Sequence, residues 1–306
     1  MTIDFFQNCL NDIIQGSNVE TLAKFPDECI DLTITSPPYD GIRNYNKKLN
    51  TKQKLVGNYS FPFEELAQQL FRVTKPGGVV VWNVADQTVD GQDGGTTETG
   101  NSFRMVLYFQ EIGFNIHDTM IYQKPGVRFP DQTRYHQTFE YMFVLSKGKP
   151  KTINFIKDKK NKSFNPKKFG WAKDRNKREQ DDGYIVCDTF TKTVGEFGRR
   201  HNVWMINPEQ SSGGNVEEWN WHSATFPSKL PHDHIKSWSN EGDIILDPFS
   251  GSGTTVIQAK KTKRNFIGLE LNKEYVEKSK KRLDNYDVPV DTIIDESGNE
   301  MSFIVY

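Results

Sequence analysis

Thr35-Ser36-Pro37-Pro38-Tyr39 gathers in five positions groups with an obvious chemical use. Each proline fixes φ and removes an N–H donor, so the Pro37 carbonyl has no competing local partner. Ser36 offers a hydroxyl oxygen and Tyr39 a flat ring. That set suits a planar base bearing an exocyclic amine: the ring stacks on Tyr39 while Ser36 Oγ and the Pro37 carbonyl each accept one N–H. The amino nitrogen of cytosine or adenine is a poor nucleophile, because its lone pair is delocalised into the ring. Two acceptors that hold its hydrogens out of plane favour the sp3-like nitrogen of a transition state. This is differential transition-state binding rather than base strength. The bland reading of the same string is a structural proline turn.

A second chemical string begins at Asp243 and runs through Ile244-Ile245-Leu246-Asp247-Pro248-Phe249-Ser250-Gly251-Ser252-Gly253 into Thr254-Thr255. Gly251 and Gly253 let the backbone approach a ligand with no Cβ in the way. Thr254 or Thr255 can cap the helix that follows, whose first amides favour an anionic group. Glu270 closes the next apolar run, at the distance where dinucleotide-type folds place an acid that accepts from ribose hydroxyls. Ligands in open α/β sheets bind at the carboxyl ends of the strands, so both strings are expected to face one crevice.

The elements that must position them are legible as patterns. Residues 30–35 read as a strand stopped by Pro37 and Pro38. Phe63, Leu66, Ala67, Leu70 and Phe71 mark one face of a helix ended by Pro76-Gly77-Gly78, and Val79 to Val84 read as a strand buried on both faces. Residues 86–100 form a Gly-, Thr- and Asp-rich loop. A helix is expected over 102–112, strands near 116–122 and 139–145, and a helix near 231–239. A strand over 244–246, the glycine loop with its helix, a strand over 266–269 and a helix over 273–283 complete the pattern. Strands alternating with helices indicate an α/β fold with a mostly parallel sheet and helices on both faces.

The chain has 306 residues, enough for one large α/β domain or two ordinary ones, with 35% hydrophobic and 26% charged residues. That excludes a disordered chain and a membrane-embedded one. Three cysteines exclude a disulfide framework and point to a reducing cytoplasm, and MTIDFFQNCLNDII lacks the layout of a secretion signal. Net charge is only −1, but Lys147 to Trp204 holds 16 basic against 7 acidic residues, interleaved with Phe155, Phe164, Phe169, Trp171, Tyr184 and Phe190. Such a stretch is either a solvated insertion or a phosphate-contacting surface. A second basic stretch, Arg43 to Lys54, includes Lys47 and Lys48 and has no acid in it. No His/Cys spacing resembles a metal site. His232 and His234 read as a satisfied helix surface around Asp233, and His136 and Glu140 are given no role.

In family order, the chain resembles the β-class amino methyltransferases of DNA, which carry a methyl group from S-adenosylmethionine to cytosine N4 or adenine N6. The motifs are Asn8-Cys9-Leu10, Pro26-Asp27, Asp31 to Tyr39, Pro76-Gly77-Gly78 with Val81-Trp82-Asn83, and Phe143 to Gly148. Ala224-Thr225-Phe226-Pro227, Asp247 to Thr255 and Phe266 to Glu270 follow. The resemblance implies a Rossmann-like methyltransferase fold with circularly permuted motif order and an inserted target-recognition region. On that division residues 1–146 are a catalytic half, 147–215 the basic recognition region, 216–286 a cofactor-binding half and 287–306 a peripheral tail. It implies that Ser36, Pro37, Pro38 and Tyr39 carry the chemistry. Thr35, Asp247, Phe249, Gly251, Gly253 and Thr254 would lie against the methionine part of the cofactor and Glu270 would hold the ribose hydroxyls. Asn8 and Cys9 would meet the adenine, and Phe226 and Pro227 belong to the last cofactor motif.

Arg43, Lys47, Lys48, Lys157, Lys159, Lys160, Lys167 and Lys168 would contact double-stranded DNA from which one base is extruded. Serine at position 36 resembles the cytosine-N4 members, with adenine N6 as the alternative. Methylation at cytosine C5 would need a thiolate nucleophile, characteristically after a proline, and here the cysteines follow Asn8, Glu28 and Val186. A cognate restriction endonuclease is a further expected partner, and a monomer or a homodimer fits equally. A dinucleotide-dependent oxidoreductase would leave Ser36 to Tyr39 and the basic run without a use; a catalytically dead DNA-binding protein would not need the intact loop.

Overall fold

The computed structural model describes residues 2–38, 61–86, 88–90, 96–126, 134–162, 172–173, 178–179, 185–186, 191–192, 195–207, 227–285, 290–294 and 300–304. Its centre is an eight-stranded sheet. The strands are β1 (Asp12–Gln15), β2 (Ile30–Thr35), β3 (Thr74–Val84), β4 (Asn115–Gln123), β5 (Phe139–Ser146), β6 (Val203–Met205), β7 (Ile244–Asp247) and β8 (Asn265–Glu270). Their order across the sheet is β1-β8-β7-β2-β3-β5-β4-β6. Every neighbouring pair is parallel except those made by β5, which runs against both β3 and β4.

Among the described residues, seven helices cover the sheet: α1 (Thr2–Cys9), α2 (Asn18–Leu22), α3 (Phe63–Val73), α4 (Asn101–Glu111), α5 (Lys229–Trp238), α6 (Thr254–Lys261) and α7 (Lys273–Asn285). Strand alternation sorts the core into two layers. On one face Val80, Trp82, Leu246 and Leu269 pack with Phe6 of α1, Leu22 of α2, Leu66 and Leu70 of α3 and Phe109 of α4. On the other, Leu32, Ile34, Val79, Val81 and Ile245 pack with Ile235 of α5, Val256 of α6 and Leu283 of α7. A strand buried on both faces explains why 79–82 is a continuous apolar run, whereas Asp31, Thr33 and Thr35 of β2 are buried polar residues alternating with Ile30, Leu32 and Ile34.

The expected strands and helices all appear, with ends shifted by one to a few residues. Three features differ. Pro76-Gly77-Gly78 lies inside β3 rather than at a helix end; a Cβ on Gly78 would come within 2.8 Å of Thr74 Cγ2 and 3.0 Å of the Asp31 carbonyl. The loop expected over 86–100 contains a hairpin pairing Thr88–Asp90 with Thr96–Glu98. And α5 is no surface helix: His234 and Asp233 are buried, the His234 ring stacked on Trp204 with centroids 4.5 Å apart.

The chain divides into two compact units, residues 1–154 with 202–306, and residues 155–201. The basic run starting at Lys147 is therefore split. Lys147 and Lys151 serve the larger unit: Lys147 Nζ donates to the Phe71 and Thr74 carbonyls, at 3.1 and 3.0 Å, and Lys151 pairs with Asp31. The smaller unit is built from two-residue strand pairs such as Lys159–Lys160 against Phe197–Gly198. Lys157, Lys159 and Lys160 are exposed there, while Arg199 lies over the Phe155 ring and Arg200 pairs with Asp158.

Candidate active site

Three adjacent strands, β8, β7 and β2, end side by side, and their last residues are Glu270, Asp247 and Thr35. Thr35 Oγ1 donates to Asp247 Oδ1 at 2.7 Å, a buried bond between residues 212 apart in sequence. The two chemical strings therefore meet at one edge of the sheet, as ligand crevices in such folds require. Ser36, half-buried, and Pro37, buried, continue directly from Thr35. Tyr39 lies outside the described residues, as do Phe226, Arg43, Lys47, Lys48, Lys167 and Lys168.

The glycine loop is held in shape by its surroundings. Phe249 N donates to Asp247 Oδ1 at 3.1 Å, closing the turn over the strand end. Gly251 and Gly253 have φ of +50° and +78°, the left-handed region where a side chain is strained. Gly253, not a threonine, occupies the position before α6, and no side chain caps that helix. Thr254 Oγ1 instead accepts from Arg282 Nη1 of α7 at 3.1 Å, and the same nitrogen donates to the Ser252 carbonyl at 2.6 Å. Arg282 thus braces the loop from below, a role that its place in a lysine-rich helix does not signal. Gly268 is required by contact: a Cβ there would lie 2.6 Å from Ser250 Oγ. Phe249 packs edge-on against Phe61, with centroids 5.2 Å apart.

Of the two acids at this edge, Asp247 is buried and Glu270 half-buried. Burial pushes Asp247 up to about 6, against the lowering effect of bonds from Thr35, Thr255 and the Phe249 amide. Burial also raises Glu270, opposed by its bonds from the Asn272 and Gly251 amides. Glu270 Oε2 accepts from Gly251 N at 2.9 Å and Oε1 from Asn272 N at 2.8 Å. Each oxygen keeps a further lone pair, so the carboxylate is fixed in orientation yet able to accept from a diol.

Asn8 and Cys9 are not brought to this edge, which corrects their assignment to the adenine. They end α1, and Asn11 N donates to the Phe266 carbonyl at 2.7 Å, so they stand by the amino ends of β1 and β8. Cys9 is a core residue whose thiol is raised by burial. The residues at the carboxyl end of β1 are Gly16, Ser17 and Asn18. Gly16 N donates to the Glu270 carbonyl at 3.0 Å and Asn18 Nδ2 to the Pro248 carbonyl at 3.3 Å. The overlooked signal was Asp12-Ile13-Ile14-Gln15, a strand too short to stand out, followed by a glycine and a helix cap: Ser17 Oγ accepts from Glu20 N at 3.4 Å. Pro227, buried, opens α5 by accepting from Leu230 N at 3.0 Å.

Further along the same edge lies a polar group to which the sequence patterns assign no role. Asn83 of β3 donates through Nδ2 to Glu140 Oε2 at 2.5 Å, and Glu140 pairs through Oε1 with Lys124, which follows β4. Asn83 is fully buried, and its Oδ1 has no hydrogen-bond partner.

Comparison with known proteins bears on what this edge does. Residues 30–281 match the model of a family described as DNA methylase, covering N6 and N4 methyltransferases. The chain is 52% identical over 261 residues to the orphan methyltransferase M.BamHII of Bacillus amyloliquefaciens, a match spanning 85% of this chain and 91% of the relative. Among solved structures, it shares its fold with the cytosine-N4-specific PvuII DNA methyltransferase, with TM-score 0.58, 20% identity, and 91% and 87% of the two chains covered. It also shares it with TTHA0409 of Thermus thermophilus, a putative DNA modification methylase complexed with S-adenosyl-L-methionine. There the TM-score is 0.55, identity 21%, and coverage 90% and 93%.

Proposed function

This chain belongs to the DNA methylase family, and from that premise we propose how its residues divide the work. It is a DNA amino methyltransferase, which transfers a methyl group from S-adenosylmethionine to the exocyclic amine of a base. S-adenosylmethionine supplies, when bound, a methyl carbon on a sulfonium whose C–S electron pair leaves to sulfur as the N–C bond forms.

The edge formed by Thr35, Asp247 and Glu270 fits that group. Glycines at +50° and +78° leave room for a ligand against the loop backbone, and the buried Asp247 and half-buried Glu270 suit a cation and a diol. In our reading Glu270 holds the ribose hydroxyls; Asp247, Phe249, Gly251 and Gly253 line the methionine end. Thr35 acts through Asp247, and Thr254 shapes the loop. Ser17 and Asn18 take the adenine end in place of Asn8 and Cys9, because they flank Pro248 and Glu270. Ser36 Oγ and the Pro37 carbonyl accept the two amine hydrogens of the extruded base, Pro38 stiffens the corner and Tyr39 stacks on the ring. The amine sheds one proton to solvent after transfer. Orientation supplies most of the rate, with reacting atoms held about 3–3.5 Å apart.

The single observation that carries this assignment is the Thr35–Asp247 bond, which puts the acceptor corner and the glycine loop at one strand edge. Serine at 36 favours cytosine N4 over adenine N6 as target. The 155–201 unit, with exposed Lys157, Lys159 and Lys160, is assigned to duplex DNA, whose phosphates reward positive charge by releasing counterions. A cognate endonuclease belongs to the same proposal.

The test is tritium transfer from labelled S-adenosylmethionine to duplex DNA, followed by nucleoside analysis. Label in N4-methylcytosine is expected, and label in N6-methyladenine overturns the choice of base alone. In the same assay Ser36→Ala should slow transfer about tenfold to a thousandfold with cofactor binding intact; an unchanged rate removes Ser36 from the chemistry.

A further inference from the structure

We propose that Arg282 is a positioning residue for the cofactor: before any ligand arrives, it holds the glycine loop in the shape that receives S-adenosylmethionine. The inference rests on the reading of that loop as the cofactor's seat and names the group that sets its shape. Glycine takes positive and negative φ about equally readily, so Gly251 and Gly253 do not by themselves select +50° and +78°. Part of the selection is internal, since Gly253 N donates to the Ser250 carbonyl at 2.7 Å and closes a turn. The Ser252 carbonyl, between the two glycines, is held from outside the loop: it accepts from Arg282 Nη1 at 2.6 Å. The same nitrogen donates to Thr254 Oγ1 at 3.1 Å, so one guanidinium arm spans Gly253 and fixes the chain on both sides of it.

Helix α7 delivers that arm. Ser279 and Arg282 stand three positions apart on one face of it, and both are buried. A Cβ added at Gly253 would lie 3.3 Å from Ser279 Cβ, so the small serine lets the helix come close beneath the loop. The helix is itself fixed: Lys280 Nζ reaches Asp12 Oδ2 at 2.7 Å, and Lys260 Nζ of α6 reaches the Leu283 carbonyl at 3.1 Å. At its start, Asn272 Oδ1 accepts from Glu274 N at 2.9 Å while Asn272 N donates to Glu270 Oε1. Glu270 Oε2 meanwhile accepts from Gly251 N. One stretch of chain, from Glu270 to Arg282, thus grips the loop at both ends.

The choice of a guanidinium points to orientation rather than packing. Burying such an ion is expensive, and its presence is weak evidence of added stability. It stays charged at any working pH and presents its donors in a fixed plane. A loop held ready loses less conformational freedom when its ligand arrives, so the contribution of Arg282 should appear as cofactor affinity.

The experiment compares wild type, Arg282→Met and Leu283→Ala by S-adenosylmethionine calorimetry and by amide hydrogen exchange of residues 250–255 without cofactor. Leu283 is the neighbouring core residue of α7, so its truncation loosens the helix and spares the loop contacts. Arg282→Met is expected to weaken binding about tenfold to a hundredfold and to speed loop exchange, while Leu283→Ala keeps wild-type affinity. Wild-type affinity in Arg282→Met, weakening without faster loop exchange, or equal weakening in Leu283→Ala overturns the inference and leaves the site reading intact. Wild-type protein that binds no S-adenosylmethionine overturns the site reading and the inference with it.

Should Arg282→Met fail to fold, Thr254→Val takes its place, because it keeps the shape and deletes one acceptor of the arm. Weaker binding together with faster loop exchange supports the inference. Wild-type affinity, or weaker binding with loop exchange unchanged, overturns it.

Discussion

Replacing Thr35 by valine keeps the shape of the strand end and deletes one donor, the hydroxyl that reaches Asp247 at 2.7 Å. The magnitude depends on the charge of its partner. Asp247 titrates near 6 in the folded protein against an ordinary value near 4, because burial penalises its charge more than its donors relieve it. A raised acid binds more protons folded than unfolded, so wild-type stability falls as pH rises between about 4 and 6 and is level above. A shift of about two units corresponds to about 3 kcal/mol across that window. Valine removes one relieving donor, so the variant's Asp247 titrates higher still and its stability keeps falling beyond pH 6. At pH 8 the lost bond is charge-assisted, about 1.5–3 kcal/mol; at pH 5 the acid is mostly protonated and the loss is about 0.5–1.5 kcal/mol. Urea unfolding of wild type and Thr35→Val at both pH values measures the difference, with Asp247→Asn as the background in which the pH dependence should vanish. An equal loss at pH 5 and pH 8, or a pH-dependent loss that survives in the Asp247→Asn background, would refute the argument.

Glu270→Gln sets an amide NH2 against the Gly251 or Asn272 amide and removes acceptors for a diol. It should weaken S-adenosylmethionine binding about tenfold to a hundredfold by calorimetry and lower the thermal midpoint by a few degrees (~2–4 °C per kcal/mol). Burial alone would raise Asp31, but the Ile244 amide and the ammonium groups of Lys151 and Lys75 hold it below the usual range. Its contribution is thus present above about pH 4 and lost as pH falls through the lowered value. Asp31→Asn should cost about 3–5 kcal/mol in urea at pH 7 and much less near pH 3. Exchanging Lys157, Lys159 and Lys160 for glutamine should lower the slope of log affinity against log salt by up to about 0.9 per contacted phosphate. An unaltered slope would make these lysines solubilising only.

What the sequence disclosed and what it hid have physical causes. Residues 79–82 and 244–246 were readable because strands buried on both faces need an unbroken apolar run, and 30–35 because β-branched residues alternate up to a proline stop. The site's two strings were readable because positive-φ glycines and consecutive prolines are demanded by local backbone geometry. Partners far apart in the chain leave no such local trace. Asp31 meets Lys151 from 120 residues away, and Arg282 reaches a loop 30 residues earlier. Nothing near any of them in sequence announces the pairing. His234 looked like surface because its polarity was weighed without Trp204 stacked on it. Asn8 and Cys9 match the family's motif by spelling, Ser17 and Asn18 do not, and only the pairing of β1 with β8 shows which residues stand beside the loop.

The order of strands across the sheet also dictates when this molecule can first be complete during synthesis. Strand β2 emerges early, yet one of its two neighbours, β7, is translated more than 200 residues later, and β1 waits for β8 longer still. At about 5–20 residues per second the nascent chain exposes an unzipped strand margin for some 10–40 s, a template for unwanted pairing. A ribosome that stalls before Ile244 leaves a polypeptide holding Thr35 to Tyr39 but lacking the glycine loop and Glu270. Chaperone cover on the first hundred residues should therefore persist until nearly the last fifth of the message has been read.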